Sequence, residues 1–184
     1  AMDLPLPEGP TKTLSRPDGV TIAYNVLGDG PRTLLLANGL GGRLYAWEPL
    51  IRALPPGYKV ITWDYRGLYG SGKPPVNEAA SYAIPNHVRD LELICQTEGI
   101  TEAALCGWSM GVQVSLETYR RMPSLVKLLV LINGTSGRAL DTVSPIPGMK
   151  MVMPSLVEIA RKAHTLAKQL AQKATSQPET VFWF

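Results

Sequence analysis

The chain has 184 residues, a formal net charge of +3, and 45% apolar and 18% charged residues. It is long enough for one well-buried core, and its charge balance leaves no nucleic-acid footprint. No apolar run is long enough to span a bilayer, and Met2-Asp3-Leu4-Pro5 has neither the basic nor the apolar region of a secretory signal. A cytoplasmic protein without membrane or nucleic-acid partners is therefore expected, with Cys95 and Cys106 as small buried thiols rather than a disulfide framework.

In chain order, Thr11 to Ser15 and Val20 to Val26 flank the turn signal Pro17-Asp18-Gly19 and predict an antiparallel hairpin. Thr33 to Ala37 is a continuous apolar run, as in a strand buried on both faces. Leu44 to Leu54 predicts a helix stopped by Pro55-Pro56-Gly57, and Lys59 to Trp63 the next strand. Ile84 to Thr97 predicts a helix with Val88, Leu91, Ile94 and Cys95 on one face. His87, near its start, reads as a surface or capping histidine. Ala103 to Cys106 leads into a helix from about Ser109 to Arg121, and Lys127 to Ile132 predicts a further buried strand. Strands alternating with helices argue an α/β fold: a mostly parallel central sheet with helices on both faces.

Gly107-Trp108-Ser109-Met110-Gly111 has the pattern G-x-S-x-G at a strand-to-helix junction. A sharp turn there exposes the serine hydroxyl, and the glycines let neighbouring backbone approach. The start of the following helix directs free N–H groups and a positive dipole end at the same point, which suits a developing oxyanion. Serine alone is a weak nucleophile, so this chemistry needs a histidine base and an orienting carboxylate. A second glycine-rich stretch, Gly67 to Lys73, formally matches the phosphate-cradling G-x-x-x-x-G-K. Pro74 and Pro75 follow it: they supply no hydroxyl for Mg²⁺ and disfavour the helix that would hold the phosphates. Asp64 and Arg66 are instead expected to brace a loop.

Taken together these segments resemble the α/β-hydrolase superfamily over nearly the whole chain. The matching stretches are Asn38-Gly39-Leu40-Gly41-Gly42, where many members have a His-Gly pair; Asp64 to Pro74, similar to D-x-R-G-x-G-x-S; the serine elbow; and Leu129 to Gly134. The resemblance implies a Ser109 nucleophile and an oxyanion hole made of the Leu40 and Met110 backbone N–H groups. It implies an ester, thioester or related small acyl substrate, as in carboxylesterases, with no cofactor. No His/Cys/Asp cluster has metal-ligand spacing. The family order of nucleophile, acid and histidine is formally met by Ser109, Asp141 and His164. His164, however, lies in a stretch from Pro154 to Ala174 with apolar residues at helical spacing, where many members insert a cap.

Residues 1–140 are thus expected to form the hydrolase core through its sixth strand, and 141–184 the start of a helical cap. The strands that usually carry acid and histidine are not visible, and apolar Val181-Phe182-Trp183-Phe184 ends the sequence. This predicts the N-terminal portion of a hydrolase, with acid and base supplied by further sequence and with a second chain or second copy able to complete the sheet edge. The alternative is a catalytically inactive binding or assembly module that keeps the fold.

Overall fold

The computed structural model describes residues 6–137. Strands β1 (Lys12–Ser15), β2 (Thr21–Leu27), β3 (Arg32–Ala37), β4 (Tyr58–Trp63), β5 (Ala103–Trp108) and β6 (Val126–Ile132) form one six-stranded sheet in the order β1-β2-β4-β3-β5-β6. β1 and β2 pair antiparallel, and β2 runs antiparallel to β4. From β4 through β3 and β5 to β6 every pairing is parallel.

The hairpin forms as its turn residues dictate. Gly19 takes φ +84°, the Asp18 carboxylate accepts the Val20 N–H at 3.2 Å, and Arg16 N–H reaches Val20 O at 2.8 Å. The parallel strands are apolar on both sides because helices cover both. Leu35, Ala37, Ile61, Trp63 and Leu105 point into one core with α2 (Ile84–Thr97) and α3 (Met110–Arg121). Their neighbours Leu34, Leu36, Val60 and Cys106 point into the other, closed by Leu44, Trp47 and Ile51.

Helix α2 has the predicted bounds. Its face of Val88, Leu91 and Ile94 is fully buried, each side chain contributing about 1.5–3 kcal/mol of apolar transfer. Gly99 ends it with φ +65°; Ile100 N–H reaches back to Cys95 O (2.8 Å) and Gly99 N–H to Gln96 O (3.3 Å). Both cysteines are free and buried, as expected, and burial pushes the Cys95 thiol up to about 12.

Two expectations need correcting. The stretch from Leu44 opens as a 3₁₀ turn (Leu44–Trp47), and only α1 (Glu48–Ala53) is α-helical, since Pro49 suits a first helical turn and not an interior. The strand expected to be buried near Ile132 is largely exposed. Among the described residues β6 pairs only with β5, and Leu128 (58% exposed), Val130, Leu131 and Ile132 lie open to solvent. Its apolar sequence is that of a covered strand; among the described elements α3 packs against it, and of its residues only Val126 and Leu129 join the core.

Candidate active site

The parallel register of β3 and β5 brings two loops together. Ala37 lies opposite Gly107, so the chain leaving β3 runs beside the chain leaving β5 at the carboxyl ends of both strands. At the end of β5 Ser109 adopts φ +55°, ψ −117° before α3 starts at Met110. For a non-glycine residue this left-handed φ costs about 1–3 kcal/mol, and the surrounding backbone enforces it. The Ser109 N–H donates to Ile132 O at 3.0 Å, tying the elbow to β6. The hydroxyl caps no helical N–H, and the residue is exposed.

The flanking glycines are required by contact. A Cβ on Gly107 would lie 2.3 Å from Gly111 O, and one on Gly111 would lie 2.0 Å from Ala37 O. Gly134, just after β6, closes the elbow from behind: a Cβ there would sit 2.5 Å from Ser109 O.

The facing loop is a tight turn. Gly42 N–H donates to Gly39 O at 2.9 Å, and Gly41 takes φ +75°, as the third position of a type II turn requires. Because the Gly39–Leu40 peptide is trans, turning the Gly39 carbonyl toward Gly42 directs the Leu40 N–H away from the turn. Gly39 packs on the elbow: a Cβ there would be 3.2 Å from Ser109 Cβ and 3.0 Å from the Trp108 ring. Met110, as the first residue of α3, has an N–H with no acceptor inside the helix.

Asn38 anchors this turn and is fully buried. Its amide donates to Trp63 O (2.7 Å) and Thr62 Oγ1 (3.3 Å), and its Oδ1 accepts from Trp47 Nε1 (2.7 Å). The Tyr65 hydroxyl donates to the Asn38 carbonyl at 2.6 Å. Each polar atom of the side chain is thus satisfied inside the core, which makes the network rigid rather than costly.

The loop after β4 is built to hold its own shape. Gly67 N–H donates to Gly72 O, Leu68 N–H to Tyr65 O, Ser71 N–H to Leu68 O and Gly72 N–H to Thr21 O, while Gly70 N–H donates to the Asp64 carboxylate at 3.0 Å. Donors engaged in this way are not free to cradle phosphate, and no α-helix starts at Lys73. Asp64 and Arg66 brace the loop as expected. Arg66 makes a bidentate pair with fully buried Asp90 (2.9 and 2.6 Å), bonds Ser81 O at 2.9 Å, and reaches Asp18 at 3.2 Å. Arg16 Nε lies 2.8 Å from the same Asp90 oxygen, aligned too poorly for a hydrogen bond.

His87 is not a surface or capping residue. It is 3% exposed, its ring centre lies 4.6 Å from that of Tyr65, and Nε2 faces Tyr82 O at 3.1 Å. A carbonyl only accepts, so Nε2 carries the proton and Nδ1 is bare, buried and without a partner. Burial, with the nearby Arg66 charge, pulls this imidazole down to about 4 despite Asp90. The unfolded chain therefore binds a proton near pH 6.5 that the folded chain refuses until about pH 4. Stability from this source is complete above pH 6.5, falls as pH drops through that window, and loses about 3 kcal/mol at most. Urea unfolding at pH 7.0 and pH 4.5 should show His87→Gln losing less stability on acidification than wild type; equal losses would remove His87 as the cause.

With this geometry in place, comparison with known proteins assigns the family. The family model described as alpha/beta hydrolase fold matches residues 32–173. The chain belongs to the α/β-hydrolase fold family. Among curated α/β-hydrolase relatives, a Stutzerimonas stutzeri protein named as carbamate hydrolase RutD is 35% identical over 108 residues, which is 59% of this chain and 39% of that protein. Its namesake in Variovorax paradoxus is 36% identical over 116 residues, 61% of this chain and 42% of that protein. The chain thus spans about two fifths of the length of the curated relatives it matches. A carboxylesterase structure from Nitrososphaera gargenis superposes with a TM-score of 0.63 at 25% identity, covering 69% of this chain and 47% of that one.

Of the residues the sequence singled out, the α/β-hydrolase core brings Ser109, Met110 and Leu40 to one end of the sheet. Asp141 and His164 lie outside the described residues, as does the expected cap. Tyr65, Tyr69 and Trp47, whose polar atoms hold the Leu40 turn or its Asn38 anchor, were not singled out by motif. A phenol that bonds backbone across a long sequence separation has no local signature.

Proposed function

We propose that this chain carries the nucleophile half of a serine hydrolase acting on small acyl substrates: esters, thioesters or related groups such as carbamates, the last suggested by the names of its relatives. The observation that carries this reading is the strained, exposed Ser109 packed directly against the Gly39–Gly42 turn. In this reading Ser109 Oγ attacks the substrate carbonyl carbon, the carbonyl π electrons move onto oxygen, and the Leu40 and Met110 N–H groups hold the resulting oxyanion. A histidine takes the hydroxyl proton and returns it to the leaving group, oriented by an acid. Both come from beyond Gly137. His87 cannot serve, because its protonated nitrogen is held by Tyr82 and its bare one is enclosed.

The exposed apolar strand β6 supports a further part of the proposal: more polypeptide, from the same protein or a second copy, covers this edge of the sheet. The test of the whole reading is covalent labelling. Intact protein treated with a fluorophosphonate, digested and analysed by mass spectrometry, should carry the adduct on the peptide containing Ser109. Complete absence of an adduct there would leave the inactive binding module as the better account.

A further inference from the structure

We infer that Tyr65 and Tyr69, both from the loop after β4, are positioning residues of the oxyanion hole, holding and polarising the turn that presents the Leu40 N–H. This rests on the serine-hydrolase reading above and extends it to residues that touch no substrate.

The hydrogen bonds form a chain through successive peptide groups. The Tyr69 hydroxyl donates to the Gly41 carbonyl. The N–H of that same peptide unit belongs to Gly42, and it donates to Gly39 O at 2.9 Å. The N–H of the Gly39 peptide unit belongs to Leu40, the proposed oxyanion donor. Each bond draws electron density from the carbonyl it meets and makes the N–H of that peptide a better donor, so the phenol acts on Leu40 through two amides in series.

Tyr65 secures the other end. Its hydroxyl bonds the Asn38 carbonyl at 2.6 Å, where the chain leaves β3 and enters the turn. Neither ring is free to wander. Tyr65 is 1% exposed and wedged between Trp63 (ring centres 5.8 Å apart, nearly perpendicular) and His87. Burial alone pushes its phenol well above the usual range, so it stays a donor at any working pH. Tyr69 is half exposed, yet its backbone is held at φ +48° and the Arg43 guanidinium sits 5.0 Å from its ring centre.

The experiment is a set of hydroxyl deletions, Tyr65→Phe, Tyr69→Phe and both together, in the intact protein. Removing an oxyanion donor outright costs about 10²–10³ in kcat, so loosening one should lower kcat on a p-nitrophenyl ester by about 10-fold for each single variant, with KM within about twofold. Affinity for a boronic acid, which mimics the tetrahedral adduct, should fall in step with kcat. Tyr45→Phe, which deletes a phenol bonded to Pro7 O at 3.2 Å and not to the turn, should keep wild-type kcat. Tyr69→Phe alone decides the matter if Tyr65→Phe fails to fold. Wild-type kcat and boronate affinity in Tyr69→Phe, or losses confined to thermal stability, overturn the inference while Ser109-dependent turnover keeps the hydrolase reading. A wild-type protein with no Ser109-dependent turnover overturns both.

Discussion

Replacing Ser109 with alanine is expected to lower the ester hydrolysis rate of the intact protein by about 10⁴–10⁶-fold while leaving the fold in place. The loss is expected to be large because the proposed mechanism makes this hydroxyl the attacking atom. The fold should survive because Ser109 caps no helix and its side chain is exposed. Alanine inherits the strain of φ +55°, whereas glycine does not. Ser109→Gly should therefore be equally inactive yet more stable than Ser109→Ala, by about 1 kcal/mol. Steady-state rates with a p-nitrophenyl ester and thermal unfolding of the three proteins check both statements. A Ser109→Ala protein that keeps a tenth of the wild-type rate would mean that the nucleophile lies elsewhere.

Gly111→Ala is expected to be the more damaging change to the protein as a whole, although it adds a single methyl group. That methyl would stand 2.0 Å from Ala37 O and 2.9 Å from Asn38 O. The clashing atoms are main chain in the centre of a parallel sheet, held by the β3–β5 ladder, so no rotamer change relieves the overlap. Either α3 moves away from the sheet or β3 moves toward the other core layer, and each choice costs about 3 kcal/mol or more. Both choices also widen the gap between Ser109 and the turn. Denaturant titration should show a fall in midpoint of that size, and any protein that remains folded should have lost most of its activity. A Gly111→Ala protein with wild-type stability would show that the helix can slide without cost, and the close approach would not be a constraint.

These two residues show how unevenly the molecule was written in its sequence. The strand and helix pattern was legible because it follows from spacing within a few residues: apolar runs for β3 and β5, a helical stripe of Val88, Leu91 and Ile94 for α2, Pro17-Asp18-Gly19 for the hairpin. The serine elbow was legible for the same reason, since its glycines are needed at fixed offsets from Ser109. His87 was misread because a histidine in the first turns of a helix looks the same whether it faces water or Tyr65. The apolar run of β6 suggested burial, but burial depends on what lies over the strand, and local sequence carries no record of that.

By itself, then, the sequence determined the order of elements, the turns that need glycine and the G-x-S-x-G junction, because each of these is set by propensity and periodicity over short distances; the Asn-Gly-Leu-Gly-Gly loop was linked to that junction only through the family resemblance. Only the tertiary structure decided that Ala37 lies level with Gly107, that the Gly39–Gly42 turn therefore packs on Ser109, and that Tyr65 and Tyr69 reach across to hold that turn. Those facts depend on strand register and close packing between segments far apart in the chain, where the energy resides in contacts that form only once the whole sheet has assembled.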